Sequence, residues 1–156
     1  SLNHSGSLCQ PDAVVSATFA PNSDQVITGS SDNTARIWEA DSGKPLFILR
    51  DVHKGEVSEA SFSSDGRLVL TASADGTAAV WHAASGLLVA TLKGHADAVR
   101  SACFSPDGRY IATASWDNTA RLWNLPTASR SDWIAYARET APRQFTDDER
   151  DKYLRE

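Results

Sequence analysis

Three segments of the sequence align without gaps, and this repeat constrains the fold more than any other feature. The segments are TGSSDNTARIWE at residues 28–39, TASADGTAAVWH at 71–82 and TASWDNTARLWN at 113–124. Equivalent residues are 43 positions apart in the first two copies and 42 apart in the second and third. A period in the low forties is typical of folds that repeat one four-stranded unit around an axis. The chain is therefore predicted to contain three copies of such a unit.

The pattern within each copy predicts short strands joined by tight turns. In the third copy the expected strands span 99–104, 110–115 and 120–123, and Pro106 and Gly108 lie in the first turn. The next turn carries Asn33, Gly76 or Asn118, residue types that tolerate a positive φ. A fourth strand is expected at 46–49 and at 87–92 in the first two copies. The prediction is an all-β fold of four-stranded antiparallel blades from a β-propeller.

Over residues 1–125 the sequence closely resembles the WD-repeat family of β-propellers. The resemblance implies a buried network of His, Ser or Thr, Asp and Trp that fixes the geometry of each blade. Leaving one member of such a network unpaired costs about 1–3 kcal/mol. In the first copy, either His4 completes the network and an inserted loop follows it, or Gln10 stands in its place and the network is truncated. The matching residues are His53, Thr71, Asp75 and Trp81 in the second copy, His95, Thr113, Asp117 and Trp123 in the third, and Thr28, Asp32 and Trp38 in the first.

Three blades are too few to close a propeller, which typically has four to eight. We expect other blades to complete the ring, with this chain as the C-terminal part of a longer protein; pairing of two copies is the alternative. No outer strand is evident directly after Trp123, and the family resemblance implies that a distant N-terminal segment supplies it. Residues 126–156 are predicted to form a linker and a short helical tail, which either packs on the propeller or binds a partner. The tail resembles the ends of bacterial WD-repeat signalling proteins.

Composition excludes several classes of function. The net charge is -5 and the charges are interspersed, so we expect no nucleic-acid partner. No apolar run is long enough to span a membrane. The two cysteines, Cys9 and Cys103, have no metal or disulfide spacing, which favours a reducing, cytoplasmic location and a buried role for Cys103.

No catalytic or cofactor-binding motif occurs, and the turn aspartates recur as structural residues. We expect no cofactor and no bound metal. The predicted class is a non-enzymatic scaffold or sensor module that binds a protein or peptide. An enzyme whose site lies in other blades and a structural subunit of an assembly are the alternatives.

One rim of the blades is the predicted binding surface. A hairpin in the third copy is expected to bring Arg100 opposite Ser115 and therefore beside Trp116. The family resemblance implies that these rim positions engage partners, and Trp and Arg are enriched among interface hot spots. Alternatively, Trp116 only packs against the neighbouring blade. The predicted partner-binding residues are Arg100, Trp116, Glu56 and Ser58.

Overall fold

The computed structural model describes residues 11–22, 24–125 and 143–144, which form three antiparallel sheets. In each sheet the strands lie side by side in chain order. This confirms the predicted all-β fold for the described residues. Of the predicted linker and helical tail, only Arg143 and Gln144 are described, and they form a strand. The first blade contains β1 (Val14–Phe19), β2 (Gln25–Ser30), β3 (Ala35–Glu39) and β4 (Pro45–Leu49). The second contains β5 (Val57–Phe62), β6 (Leu68–Ser73), β7 (Thr77–His82) and β8 (Leu88–Lys93). The third contains β9 (Val99–Phe104), β10 (Tyr110–Ser115), β11 (Ala120–Asn124) and β12 (Arg143–Gln144).

The tight turn between the second and third strands has the same backbone geometry in every blade. Its positive φ angle is 68° at Asn33, 86° at Gly76 and 66° at Asn118. Asn and Gly occupy this left-handed region at lower cost than other residues, so the turn closes without strain. The sequence prediction for this turn is confirmed.

The outer strand of the third blade arises differently from those of the other two. Residues 40–44 and 83–87 connect the third and fourth strands of the first two blades, whereas residues 125–142 separate β11 from β12. The outer position beside β11 is occupied by β12, and not by the distant N-terminal segment that the family resemblance implies. Arg143 pairs with Leu122 and Gln144 with Arg121. Two strands pair through their backbones, so they need not be adjacent in the sequence.

The apolar core lies between adjacent blades. Adjacent blades contribute buried apolar side chains to a shared cluster, so the sheets stabilise one another through burial. One cluster contains Ile27, Ile37 and Leu49 of the first blade with Val57, Val69 and Trp81 of the second. The other contains Leu70, Val80 and Leu92 of the second blade with Val99, Ile111 and Trp123 of the third.

The face of the first blade that points away from the second is open. Val14 is 43% exposed, although its counterparts Val57 and Val99 are completely buried. Phe19 is 63% exposed, whereas its counterparts in the other blades are partly buried. This face therefore has the residue types of a blade interface, and no blade among the described residues covers it.

A β-bulge at the second residue of each first strand sets the direction of the rim side chains. Pairing skips Val15, Ser58 and Arg100, which are equivalent in the three copies. Ser115 therefore pairs with Val99, and the expectation that it lies opposite Arg100 was wrong. A bulge adds one residue to one strand and redirects its side chain. This position turns Arg100 toward the rim.

Candidate interaction surface

The four residues predicted for the network of the third blade form one line of hydrogen bonds. Trp123 Nε1–H donates to Thr113 Oγ1 at 2.9 Å, and this oxygen lies 2.8 Å from His95 Nε2. His95 Nδ1 lies 2.8 Å from Asp117 Oδ2. An ionised carboxylate only accepts, so His95 Nδ1–H donates to Asp117. Hydrogen bonds therefore connect the Trp123 indole to the carboxylate through Thr113 and His95.

The second blade has the same residues, but its histidine and aspartate lie farther apart. Trp81 Nε1–H donates to Thr71 Oγ1 at 3.0 Å, and Thr71 Oγ1 lies 2.7 Å from His53 Nε2. His53 Nδ1 is 3.7 Å from Asp75 Oδ2, beyond hydrogen-bond distance. It instead lies 3.1 Å from Thr77 Oγ1, and that hydroxyl donates to Asp75 Oδ1 at 2.6 Å. Thr77 therefore connects the histidine to the carboxylate.

Sequence reasoning missed the threonine two residues after each turn aspartate. In every blade its backbone N–H and its hydroxyl both donate to one oxygen of that aspartate, at 2.9 and 2.6 Å. The signal was present, because this residue recurs at the same spacing in all three copies. The three residues are Thr34, Thr77 and Thr119.

The network sets the protonation of its members. Burial lowers the pKa of His53 below its ordinary value of 6.5, although the nearby Asp75 carboxylate acts in the opposite direction. Desolvation raises the pKa of Asp75, but the hydrogen bonds that it accepts, led by that of Thr77, outweigh this effect and lower it. The pKa of Asp117 is lowered for the same reasons. At neutral pH His53 is therefore neutral, and Asp75 and Asp117, the aspartates of the second and third networks, are ionised.

The first blade contains the tryptophan, threonine and aspartate of the network. Trp38 Nε1–H donates to Thr28 Oγ1 at 2.8 Å, and Asp32 Oδ2 lies 3.5 Å from Arg36 Nη2. His4 lies outside the described residues, so both alternatives for the first network stay predictions.

At the rim, the structure brings Arg100 and Trp116 into contact. The guanidinium carbon of Arg100 lies 4.9 Å from the centre of the Trp116 ring. Trp116 is 64% exposed, while its backbone N–H is held by the carbonyl oxygen of Ala98 at 2.9 Å. The backbone of Trp116 is thus held in place by a hydrogen bond, while its indole ring is exposed to solvent.

Glu56 connects this pair to the first blade. Its Oε1 lies 3.5 Å from Arg100 Nη1, and its Oε2 accepts a hydrogen bond from Ser31 Oγ at 2.8 Å. Ser31 occupies the position in the first blade that corresponds to Trp116, a correspondence visible in the aligned repeats but not used in the prediction. We call these four residues, Ser31, Glu56, Arg100 and Trp116, the rim surface. It contains side chains from all three blades.

Ser58, the fourth predicted partner-binding residue, does not join the rim surface. Its hydroxyl lies 2.8 Å from the carbonyl oxygen of Val99 and 3.3 Å from that of Ala72. The same repeat position that presents Arg100 at the rim thus holds a short side chain that links the second blade to the third.

The repeats that contain these networks match a known family. The sequence model described as "WD domain, G-beta repeat" matches residues 3–39, 43–82 and 86–124, which together exceed half of the chain. The chain belongs to the WD-repeat family. WD repeats generally mediate interactions between proteins.

A curated relative of this WD-repeat chain is ribosome assembly protein 4 of Chaetomium thermophilum. The two are 51% identical over 45 residues. The alignment covers 28% of this chain and only 8% of the relative. The similarity therefore extends over roughly the length of one WD repeat.

Cys103 lies in β9, the inner strand of the third WD blade. It was expected to be buried, but it is exposed. Ala102 and Cys103 alternate along β9, and Ala102 is the residue that faces the core. Partial desolvation and the nearby Glu59 carboxylate raise the pKa of the Cys103 thiol, so the thiol stays protonated at neutral pH. Glu59 Oε2 also accepts the backbone N–H of Ala102 at 2.9 Å, which links the second blade to the third.

The part of the chain that the structure describes contains no group of three or more His, Cys, Asp or Glu residues that could hold a metal ion. Nor does it contain a helix that is long and apolar enough to cross a membrane.

Proposed function

We propose that this WD-repeat chain is a protein-interaction module that binds a protein or peptide segment through the rim surface. One observation carries the proposal: the Arg100 guanidinium lies over the ring of the exposed Trp116 indole. Trp and Arg are the residue types most enriched among side chains that dominate binding energy. This contact also orders both side chains before a partner arrives, which reduces the entropy lost on binding.

The chemistry of the acid and base groups supports a binding role over a catalytic one. His53, His95, Asp75 and Asp117 are all engaged with network partners. A catalytic acid or base must lie within hydrogen-bond distance of the substrate atom to or from which it transfers a proton. We therefore propose a scaffold or sensor and not an enzyme.

The wider context is also proposed. Residues 1–125 form the repeat region and residues 126–156 a tail, within a larger cytoplasmic WD-repeat signalling protein of bacterial type. The tail sequence supports the signalling assignment. The exposed Val14 and Phe19 support a further blade packed against the first, because the equivalent residues of the other blades are covered by their neighbours. The likeness to a ribosome assembly protein is too short to support a shared role.

Binding and melting measurements on three variants test the rim proposal. Trp116→Ala and Arg100→Ala are compared with Leu87→Ala, which removes an apolar side chain that is 61% exposed outside the rim surface. We expect both rim variants to lose the partner in pull-down experiments at an unchanged melting temperature, and Leu87→Ala to retain it. A lower melting temperature for Trp116→Ala, together with intact binding by Arg100→Ala, would assign the indole to packing and the partner to another surface.

A further inference from the structure

We infer that the rim surface recognises a side-chain carboxylate, from an Asp or Glu in an extended segment of the partner. Arg100 is the group that binds this carboxylate, and Glu56 is an internal competitor that the partner displaces. The inference rests on the proposed function, because it specifies the ligand of the same surface.

Arg100 has donors to spare. Over the described residues its only hydrogen bond is to Glu56 Oε1, at the outer limit of 3.5 Å. A guanidinium has five N–H donors in one plane, and that of Arg100 lies over the Trp116 ring, with its carbon 4.9 Å from the ring centre. The side chain of Arg100 is 42% exposed. A carboxylate can therefore approach edge-on and accept two parallel hydrogen bonds.

Glu56 can release Arg100 at little cost. Its second oxygen accepts the hydroxyl of Ser31 at 2.8 Å, so the carboxylate stays hydrogen-bonded when the arginine moves away. The ion pair that is lost is long and partly exposed to water, and pairs of this kind contribute little to stability. A bidentate pair with a partner carboxylate offsets that loss.

The Arg100 guanidinium binds an anion, and the charge of the surrounding molecule favours an anion with a single charge. The chain carries a net charge of -5, and the exposed Asp97 lies close to the rim, where its carbonyl oxygen accepts the Ser115 hydroxyl. A doubly charged phosphate is repelled more strongly than a carboxylate in this field. A cationic ligand that pairs with Glu56 would lie beside the Arg100 guanidinium and be repelled by it. The exposed indole of Trp116 then takes an apolar residue next to the partner's acid.

A random dodecapeptide library displayed on phage tests the inference on the 156-residue chain. Binders are selected on the immobilised protein and sorted by whether Trp116→Ala abolishes their binding. We expect the sensitive peptides to be enriched in an Asp or Glu beside an apolar residue. For such a peptide, Arg100→Ala should weaken binding by roughly tenfold or more, and Arg100→Lys should restore only part of it.

The decisive variant is Glu56→Gln, which should strengthen binding several-fold because it removes the competing charge. Glu39→Gln is the matched control, since it changes the net charge equally at an exposed position at the opposite end of β3 from the Asp32 turn. Enrichment in Lys or Arg, with weaker binding by Glu56→Gln, would overturn the carboxylate assignment and leave the rim as the binding surface. Peptides insensitive to both Trp116→Ala and Arg100→Ala would overturn the proposed function as well.

Discussion

Replacing Thr71 with valine tests the buried network most directly, because the shape of the side chain is kept and only its hydrogen bonds are lost. Thr71 is completely buried. Its hydroxyl oxygen accepts the Trp81 indole N–H at 3.0 Å and lies 2.7 Å from His53 Nε2. In Thr71→Val both partners stay buried and neither has its hydrogen bond.

The expected loss of stability follows from the number of buried groups that lose their hydrogen-bond partner, which is two. Each buried polar group left unpaired costs about 1–3 kcal/mol, so the two together lower the free energy of unfolding by roughly 2–6 kcal/mol. Domains of this size are typically stable by about 5–15 kcal/mol in total. The melting temperature should therefore fall by roughly 5–20 °C.

Thermal and urea unfolding of three variants provide the measurement. Thr71→Ser keeps the hydroxyl and loses one methyl group, which should cost about 1 kcal/mol. Thr18→Val makes the same chemical change as Thr71→Val at an exposed position of β1 and should change stability by less than about 0.5 kcal/mol. If Thr71→Val were as stable as Thr71→Ser, the hydroxyl would not hold the network together.

Three further predictions follow from the same geometry. As pH falls below 6.5, the unfolded chain takes up a proton that the folded His53 refuses, so stability should drop by up to about 1.4 kcal/mol per pH unit. A His53→Gln variant should lack this slope in urea titrations between pH 7 and 5, and a retained slope would assign it to another group. Gly29→Ala would put a Cβ 2.6 Å from the carbonyl oxygen of Val57, so it should cost roughly 1–3 kcal/mol in urea unfolding; a neutral result would mean that the blades separate freely. Asp75→Ala should lower the melting temperature clearly more than the exposed Asp24→Ala, and equal values would contradict the network.

Short-range patterns in the sequence predicted most of the fold. The strands expected at 99–104 and 110–115 agree with β9 and β10, and that expected at 120–123 extends by one residue in β11. Alternating apolar residues and turn-forming Asn and Gly determine the backbone conformation of their immediate neighbours. Strands and turns can therefore be recognised from the sequence alone. The repeat then assigned the same role to equivalent residues, such as Thr71 and Thr113.

The errors of sequence reasoning arose where one strand meets another. The position of Arg100 depends on a bulge, and an extra residue on one strand leaves no mark in a pattern of alternating residues. Cys103 was expected inside because its neighbours are apolar. The structure buries Ala102 instead, because side chains alternate along the strand and only the packing of the neighbouring blade decides which set faces the core.

The sequence by itself determined that the chain repeats a strand-and-turn unit and which His, Thr, Asp and Trp residues belong to the networks of the second and third units. Only the tertiary structure decided what happens between units. The contacts of Glu56 with Ser31 and Arg100 join three blades. The pairing of Arg143–Gln144 with β11 joins two strands that residues 125–142 separate in the sequence. Such contacts depend on how far apart the blades lie and how they are rotated. Those quantities are set by the packing of buried side chains between sheets, which no local pattern in the sequence encodes.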